Sequence, residues 1–288
     1  MILITGSTGF VGQNLLKSII DKNIKVRCLV RGKRKIGNTK LNVIEGDLLN
    51  KDSLDKATQN VNIVIHLAAI IKSSNSKEFI NINVEGTKNL VDACIKNKIK
   101  KIIYISSLDA GLNDTNVYGK SKKLGEDIII NSGINYVILR PSLIYGKNSQ
   151  DITMLTNLIK KFSFIPIIGD GKSRLQPVYV DDVCDIIIKL INSKIKNKLY
   201  YVAGEEKISM NDFIDKIASL YSKKIIKIHF PLWLLFLPLK LYGFIFRGSV
   251  NYESIKLLNK DKICDINFIK RDLNFSPINL DKGLRYIL

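Results

Sequence analysis

Tyr118 and Lys122 stand four residues apart in the stretch VYGKSK, at the start of a helical pattern. Positions i and i+4 share one face of a helix, so phenol and ammonium are expected to be neighbours. A free tyrosine has a pKa of about 10 and is a poor base at neutral pH. Positive charge nearby favours the phenolate. Lowering the pKa to about 7 takes roughly 4 kcal/mol, at about 1.36 kcal/mol per unit. As an isolated pattern Y-x-x-x-K is common. Here it follows a strand and the loop ISSLDAG, where the catalytic groups of an open α/β sheet belong.

A second motif supplies a partner for that chemistry. TGSTGFVG places Gly6, Gly9 and Gly12 between an N-terminal strand and an amphipathic helix. The turn is sharp, and side chains would keep a diphosphate from the helix N-terminus, where free N–H groups and the helix dipole favour an anion. The pattern is that of a dinucleotide site and lacks the Lys-Ser/Thr ending of a triphosphate loop. An oxidised nicotinamide would be the second positive charge beside Tyr118. The phenol could then pass a proton to or from a carbinol oxygen while hydride moves. The second strand ends in CLVRGKRK, with no acid for ribose hydroxyls. Arg31, Lys33, Arg34 and Lys35 suit a 2′-phosphate, which favours NADP over NAD. Asp47, after the third strand, is placed to contact adenine.

These groups need a parallel sheet to hold them. Strand-like runs are Ile2–Thr5, Lys25–Val30, Asn42–Ile44, Asn62–His66, Lys101–Ser106 and Asn135–Arg140. Helical patterns lie between them at Phe10–Asp21, Lys51–Ala57, Phe79–Lys98 and Tyr118–Asn131. Continuous Ile/Val/Leu strands suit a sheet covered on both faces. The expected fold is a Rossmann-type doubly wound α/β sheet, with a smaller C-terminal α/β domain for the substrate. Residues 1–165 are read as the dinucleotide-binding domain. Residues 166–288 are read mainly as the substrate-binding domain, with segments returning to the sheet. A helix at Ile152–Lys161, a strand at Lys198–Val202 and a helix from Ser209 are expected in the second half.

Composition narrows the class. The 288 residues are 46 % hydrophobic and 25 % charged, as in soluble globular proteins. The net charge of +19 is unusual. Its lysines form no block, and no nucleic-acid motif accompanies them, so no nucleic-acid partner is expected. Cys28, Cys94, Cys184 and Cys264 are dispersed among aliphatic residues, which reads as free thiols in a reducing, cytoplasmic compartment. With His66 and His229 the only histidines, no metal site is expected. No leader pattern is read at MILITG.

Taken together, the motifs resemble those of the extended short-chain dehydrogenases/reductases, the NAD-dependent epimerase/dehydratase family. The likeness covers nearly the whole chain. Besides the glycine motif it rests on Asp47, on the H-x-A-A stretch at His66, Leu67, Ala68 and Ala69, and on NVEGTKNL with Asn83. It rests also on LRPSLIYG and VYVDDV. The resemblance assigns the catalytic Ser/Thr to Ser107 and the catalytic pair to Tyr118 and Lys122. Ser107 would hydrogen-bond the substrate oxygen, and Lys122 would lower the tyrosine pKa and hold the nicotinamide ribose. Cofactor contacts are expected at Gly6, Gly9, Phe10, Val11 and Gly12. Further contacts are expected at Arg31, Asp47 and Leu48, at Leu67, Ala68 and Ala69, and at Pro141, besides Tyr118 and Lys122.

The implied activity is NAD(P)-dependent oxidation or reduction at a carbinol/carbonyl carbon of a small molecule, a nucleotide sugar being one class. Epimerase, dehydratase and reductase stay open. Two positions depart from sugar-nucleotide members: Leu143 replaces an Asn, and Leu175 an Arg displaced to Arg174. GDGKSRLQPVYVDDV and ESIKLLNKDK are similar to an atypical branch that includes the NADPH-binding accessory subunit of respiratory complex I. That branch is not thought to turn over substrate and usually lacks the Tyr/Lys pair. A non-catalytic NADP(H)-binding structural or sensor protein is therefore the alternative.

FPLWLLFLPLKLYGFIF, residues 230–246, is interrupted by Pro231, Pro238 and Lys240 and is short for a bilayer span. It is read as a helix over the cleft or as a homodimer contact. Peripheral membrane docking is the other option, with Lys223, Lys224, Lys227 and Arg247 at its flanks. A lipid-like or steroid-like substrate entering along it is a further alternative.

Overall fold

The computed structural model describes residues 1–32, 41–231, 234, 257 and 259–287. Lys33, Arg34, Lys35 and nearly all of the 230–246 stretch lie outside the described residues. The first half runs β1 (Ile2–Thr5), α1 (Phe10–Asp21), β2 (Val26–Val30), β3 (Asn42–Glu45), α2 (Lys51–Thr58) and β4 (Ile63–His66). It continues with α3 (Ser76–Phe79), α4 (Gly86–Lys96), β5 (Lys101–Ile105), α5 (Val117–Ile130) and β6 (Asn135–Pro141). The second half adds β7 (Ile144–Tyr145), α6 (Gln150–Lys161), β8 (Phe164–Ile168), β9 (Arg174–Leu175), β10 (Val178–Tyr179) and α7 (Val180–Asn192). There follow β11 (Lys198–Val202), β12 (Ile208–Ser209), α8 (Met210–Ser219), β13 (Ile226–Phe230), α9 (Asn267–Leu273) and α10 (Leu280–Arg285).

Seven strands form one parallel sheet in the order β11-β6-β5-β4-β1-β2-β3. The order reverses between β1 and β4, which opens a crevice at their carboxyl ends. Alternate residues of the inner strands feed two cores. Ile4, Cys28, Ile65 and Ile103 pack with Leu15 and Ile19 of α1 and Ile187 of α7. Leu3, Val64, Ile102 and Tyr104 pack with Leu54 of α2, Leu90 of α4 and Ile129 of α5. Burial on both faces is why these strands read as unbroken apolar runs. Smaller pairs lie outside the sheet: β10 with β7, β12 with β9, and β13 with β8.

The expected Rossmann-type architecture is present, with corrections at the boundaries. The helix expected over Phe79–Lys98 begins at Ser76, where Asn75 accepts a hydrogen bond from the Lys77 N–H. It ends at Lys96, and Lys98 turns back with φ 53°. Between α3 and α4, residues Ile80–Glu85 form a π-helical turn. Such turns add a residue and re-aim one side chain; here the buried one is Asn83. Among the described residues no helix is long and apolar enough to cross a membrane.

Candidate active site

The glycine turn shapes the crevice. Gly6 has φ +72°, and a Cβ there would stand 2.6 Å from the Ala68 nitrogen. A Cβ at Gly12 would stand 2.3 Å from the Gly6 carbonyl. Both positions need glycine because backbone passes within contact distance. Gly9 caps α1 without a side chain, and the first turn of α1 has no acid. The Gln13 N–H makes the first helical bond, to the Gly9 carbonyl at 2.9 Å. The N–H groups of Phe10, Val11 and Gly12 precede it, at the positive end of the helix dipole. An uncapped terminus with no competing carboxylate fits a dinucleotide diphosphate.

The remaining expected cofactor residues sit at the same edge of the sheet. Arg31 follows β2 and is exposed, with its Nε 4.0 Å from an Asp47 carboxylate oxygen. Asp47 also accepts the Leu49 N–H at 2.9 Å. Leu48 is buried beneath α4, where a Cβ on Gly86 would meet its side chain. Leu67, Ala68 and Ala69 follow β4; the Leu67 N–H bonds the Thr5 carbonyl, and the Ala68 N–H the Thr5 hydroxyl. Pro141 closes β6 and is buried.

Ser107, Tyr118 and Lys122 come together at the end of β5. Asn116 caps α5 by accepting the Gly119 N–H at 2.9 Å, which fixes the helix start one residue before Tyr118. Ser107 accepts the Asp109 N–H and also hydrogen-bonds Tyr118. The protein's own groups act here without the nicotinamide charge that the expected lowering of Tyr118 includes. Burial and the neighbouring Asp109 charge push Tyr118 up to about 12, against the lowering effect of the Ser107 bond. Lys122 is itself pushed down to about 7 by burial, with Glu126 opposing. Its ammonium stands 4.1 Å over the Tyr104 ring. The protein's own groups thus hold Tyr118 as a neutral phenol, because desolvation and the Asp109 charge outweigh the Ser107 hydrogen bond.

Polar residues outside the expected catalytic set hold this site. Glu126, one turn beyond Lys122, accepts Arg140 Nε at 2.8 Å and Nη2 at 2.6 Å, and the Ser106 hydroxyl at 2.5 Å. The i, i+4, i+8 spacing of Tyr118, Lys122 and Glu126 was the available signal. A buried chain also runs from the glycine turn to α5. The Ala68 N–H donates to the Thr5 hydroxyl, which lies 2.7 Å from His66 Nδ1. His66 Nε2 lies 3.0 Å from the Thr87 hydroxyl, which donates to the Asn83 carbonyl at 2.7 Å. With the Thr87 proton committed, His66 donates from Nε2 and accepts at Nδ1. Burial pushes its pKa down to about 3, consistent with that neutral form. The Asn83 amide donates to Ser121, whose hydroxyl donates to the Tyr118 carbonyl. The π turn is what points Asn83 at this junction.

The two departures are apolar or occupied. Leu143 is half-buried and Leu175 buried. Arg174 is exposed and paired with Asp261 at 2.6 Å. From the C-terminal portion, Lys262 pairs with Asp109 at 2.9 Å and Lys260 with Asp114 at 3.0 Å.

A parallel sheet with a reversed strand order, a glycine turn at an uncapped helix and a Ser/Tyr/Lys cluster define a nucleotide-binding α/β protein. The family model of the NAD-dependent epimerase/dehydratase family matches residues 2–204, and the chain belongs to that family. A relative described as a putative UDP-glucose 4-epimerase of Methanocaldococcus jannaschii is 31 % identical over 249 residues, 75 % of this chain and 81 % of the relative. Subunit 9 of the NADH dehydrogenase 1 alpha subcomplex from Dictyostelium discoideum is 26 % identical over 76 % of this chain and 64 % of its own length. A crystal structure of UDP-glucuronic acid 4-epimerase from Bacillus cereus, in complex with UDP-glucuronic acid and NAD, has the same fold. Its TM-score is 0.79 at 24 % identity, covering 99 % of this chain and 98 % of that one.

Proposed function

We propose that the chain is an NAD(P)-dependent isomerase or oxidoreductase acting on a carbinol/carbonyl carbon of a nucleotide sugar, with epimerisation as the reaction. The observation that carries this reading is the Ser107–Tyr118 hydrogen bond, with Lys122 one turn further along α5. Residues 1–165 hold the dinucleotide and residues 166–288 mainly the substrate. The Phe10, Val11 and Gly12 N–H groups bind the diphosphate, Asp47 and Leu48 face the adenosine end, and Leu67, Ala68, Ala69 and Pro141 line the crevice. Arg31 supports NADP in preference to NAD. When bound, the nicotinamide supplies the hydride acceptor and donor and a positive charge when oxidised.

Ser107 orients the substrate oxygen. Tyr118 exchanges a proton with that oxygen; as a neutral phenol it is ready to donate, and positive charge entering the cleft makes it able to accept. Lys122 holds the ribose; burial pushes its pKa down to about 7, well below that of the phenol. Its neighbour Glu126 keeps part of its charge in place.

The test is turnover. Purified protein is incubated with UDP-glucose and UDP-glucuronic acid, and the products are read by NMR. Conversion to the 4-epimer with co-purified cofactor supports the proposal. Cofactor bound without redox change across a sugar-nucleotide, carbonyl and carbinol panel overturns it. That result would favour a structural nucleotide-binding role, the second reading, which rests on Leu143, Leu175 and the Asp261-bound Arg174.

A further inference from the structure

The parallel pair β8 and β13 is built inside out on one of its strands. In β8, Ile165 and Ile167 are buried in the core, while Phe164 and Pro166 face outward. In β13 the polar residues lie on the side of α8: half-buried Lys227 pairs with Asp215 of α8, and exposed His229 has its Nε2 3.0 Å from Asn211 Oδ1. Its isoleucines therefore point out, Ile226 at 68 % and Ile228 at 40 % exposure. The register sets Ile226 beside Phe164 and Ile228 beside Pro166, so the outward residues form one continuous apolar face. Phe162 extends it, with its ring 5.8 Å from that of Phe164. The ribbon therefore turns a lysine toward α8 and presents its isoleucines to the outside.

We propose that this face docks on an anionic phospholipid bilayer. Charge argues for that occupant. The segments leading into the two strands carry Lys160, Lys161, Lys223 and Lys224, and neither 160–164 nor 221–226 contains an acid. The ammonium of Lys160 lies over the Tyr221 ring and that of Lys161 over Phe162, so these lysines sit among the apolar groups, as interfacial lysines do. Continuity argues the same way, because β13 leads directly into the apolar sequence PLWLLFLPL. Size argues against a second copy: a two-stranded ribbon presents on the order of a few hundred Å², below the ~800 Å² per partner of a stable interface.

The test is flotation of the full chain with vesicles of phosphatidylcholine, alone or mixed with phosphatidylserine. The chain binds the mixed vesicles and is released by salt. Replacing Ile226→Glu with Ile228→Glu reduces binding to the level of phosphatidylcholine alone. Lys161→Ala with Lys224→Ala weakens it about fivefold per lysine, independently of any effect of the glutamates on folding. Four results overturn the proposal. The chain could fail to float, or float equally well with both variants. It could form a dimer that the glutamate pair splits, which assigns the face to a second copy. The glutamate pair could instead lower the melting temperature sharply, which assigns it to another segment of this chain.

Discussion

The Lys122 ammonium lies 4.1 Å from the centroid of the Tyr104 ring, and the same ring stacks on His66 with centroids 5.3 Å apart. A strand residue of the buried sheet thus helps to keep a fully buried lysine charged. Such a contact is worth about 2 kcal/mol when desolvated. Tyr104→Leu removes it, and the neutral amine is favoured further. The expected outcome is a shift of the Lys122-dependent limb of the pH–rate profile to lower pH by about 1.5 units.

Tyr118→Phe keeps the ring and deletes the proton-carrying oxygen. Turnover is expected to fall by about 10²–10⁴-fold, while dinucleotide affinity, read by fluorescence titration, is retained. Unchanged turnover would remove Tyr118 from its assigned role.

Glu126→Gln leaves the Arg140 guanidinium at the edge of the core without its carboxylate. Breaking a buried pair on one side costs about 3–5 kcal/mol, so the urea midpoint should drop markedly. Replacing Glu126 and Arg140 together by apolar residues should recover much of the loss, since no lone charge stays buried.

His66 gives the fold an acid-sensitive element. Its folded pKa of about 3 lies below the ordinary 6.5, so the unfolded chain binds more protons between those values. Stability from this group is fully present above pH 6.5 and is lost as pH falls toward 3. The slope within the window is about 1.4 kcal/mol per pH unit. Melting curves of wild type and His66→Gln should diverge at neutral pH and converge on acidification.

Arg31→Ala should weaken NADP binding about tenfold, the worth of one charge-assisted hydrogen bond, and leave NAD binding nearly unchanged. Calorimetric titration with both dinucleotides reads the difference. Equal losses would show that Arg31 does not discriminate the 2′-phosphate.

What the sequence made legible follows from what each element contacts. β1 and β5 were readable because both faces are buried, so pattern and structure coincide. The Tyr118–Lys122 spacing was readable because a helix fixes it locally. The state of Tyr118 was not, because it depends on Asp109 and on exclusion of water, both of which arise only when α5 packs against the end of β5. Glu126 lay in view at helical spacing, but Arg140 comes from β6, and only the order of strands makes them partners. His66 was legible only as part of the H-x-A-A stretch; its place between Thr5 and Thr87 depends on β1 and α4 meeting across β4. The outward isoleucines of β13 look like core residues until Lys227 and His229 are seen bonded to α8.

The ion pair between Lys262 and Asp109 spans 153 positions of the chain. During synthesis the loop that carries Asp109 emerges long before its anchor. The sheet can assemble around β1 to β6 while the polypeptide is still growing, yet the loop between Ser107 and Asn116 gains its ion pairs to Lys260 and Lys262 only after those residues leave the ribosome. The loop beside the reactive centre is therefore anchored by a segment translated well after strands β1 to β6.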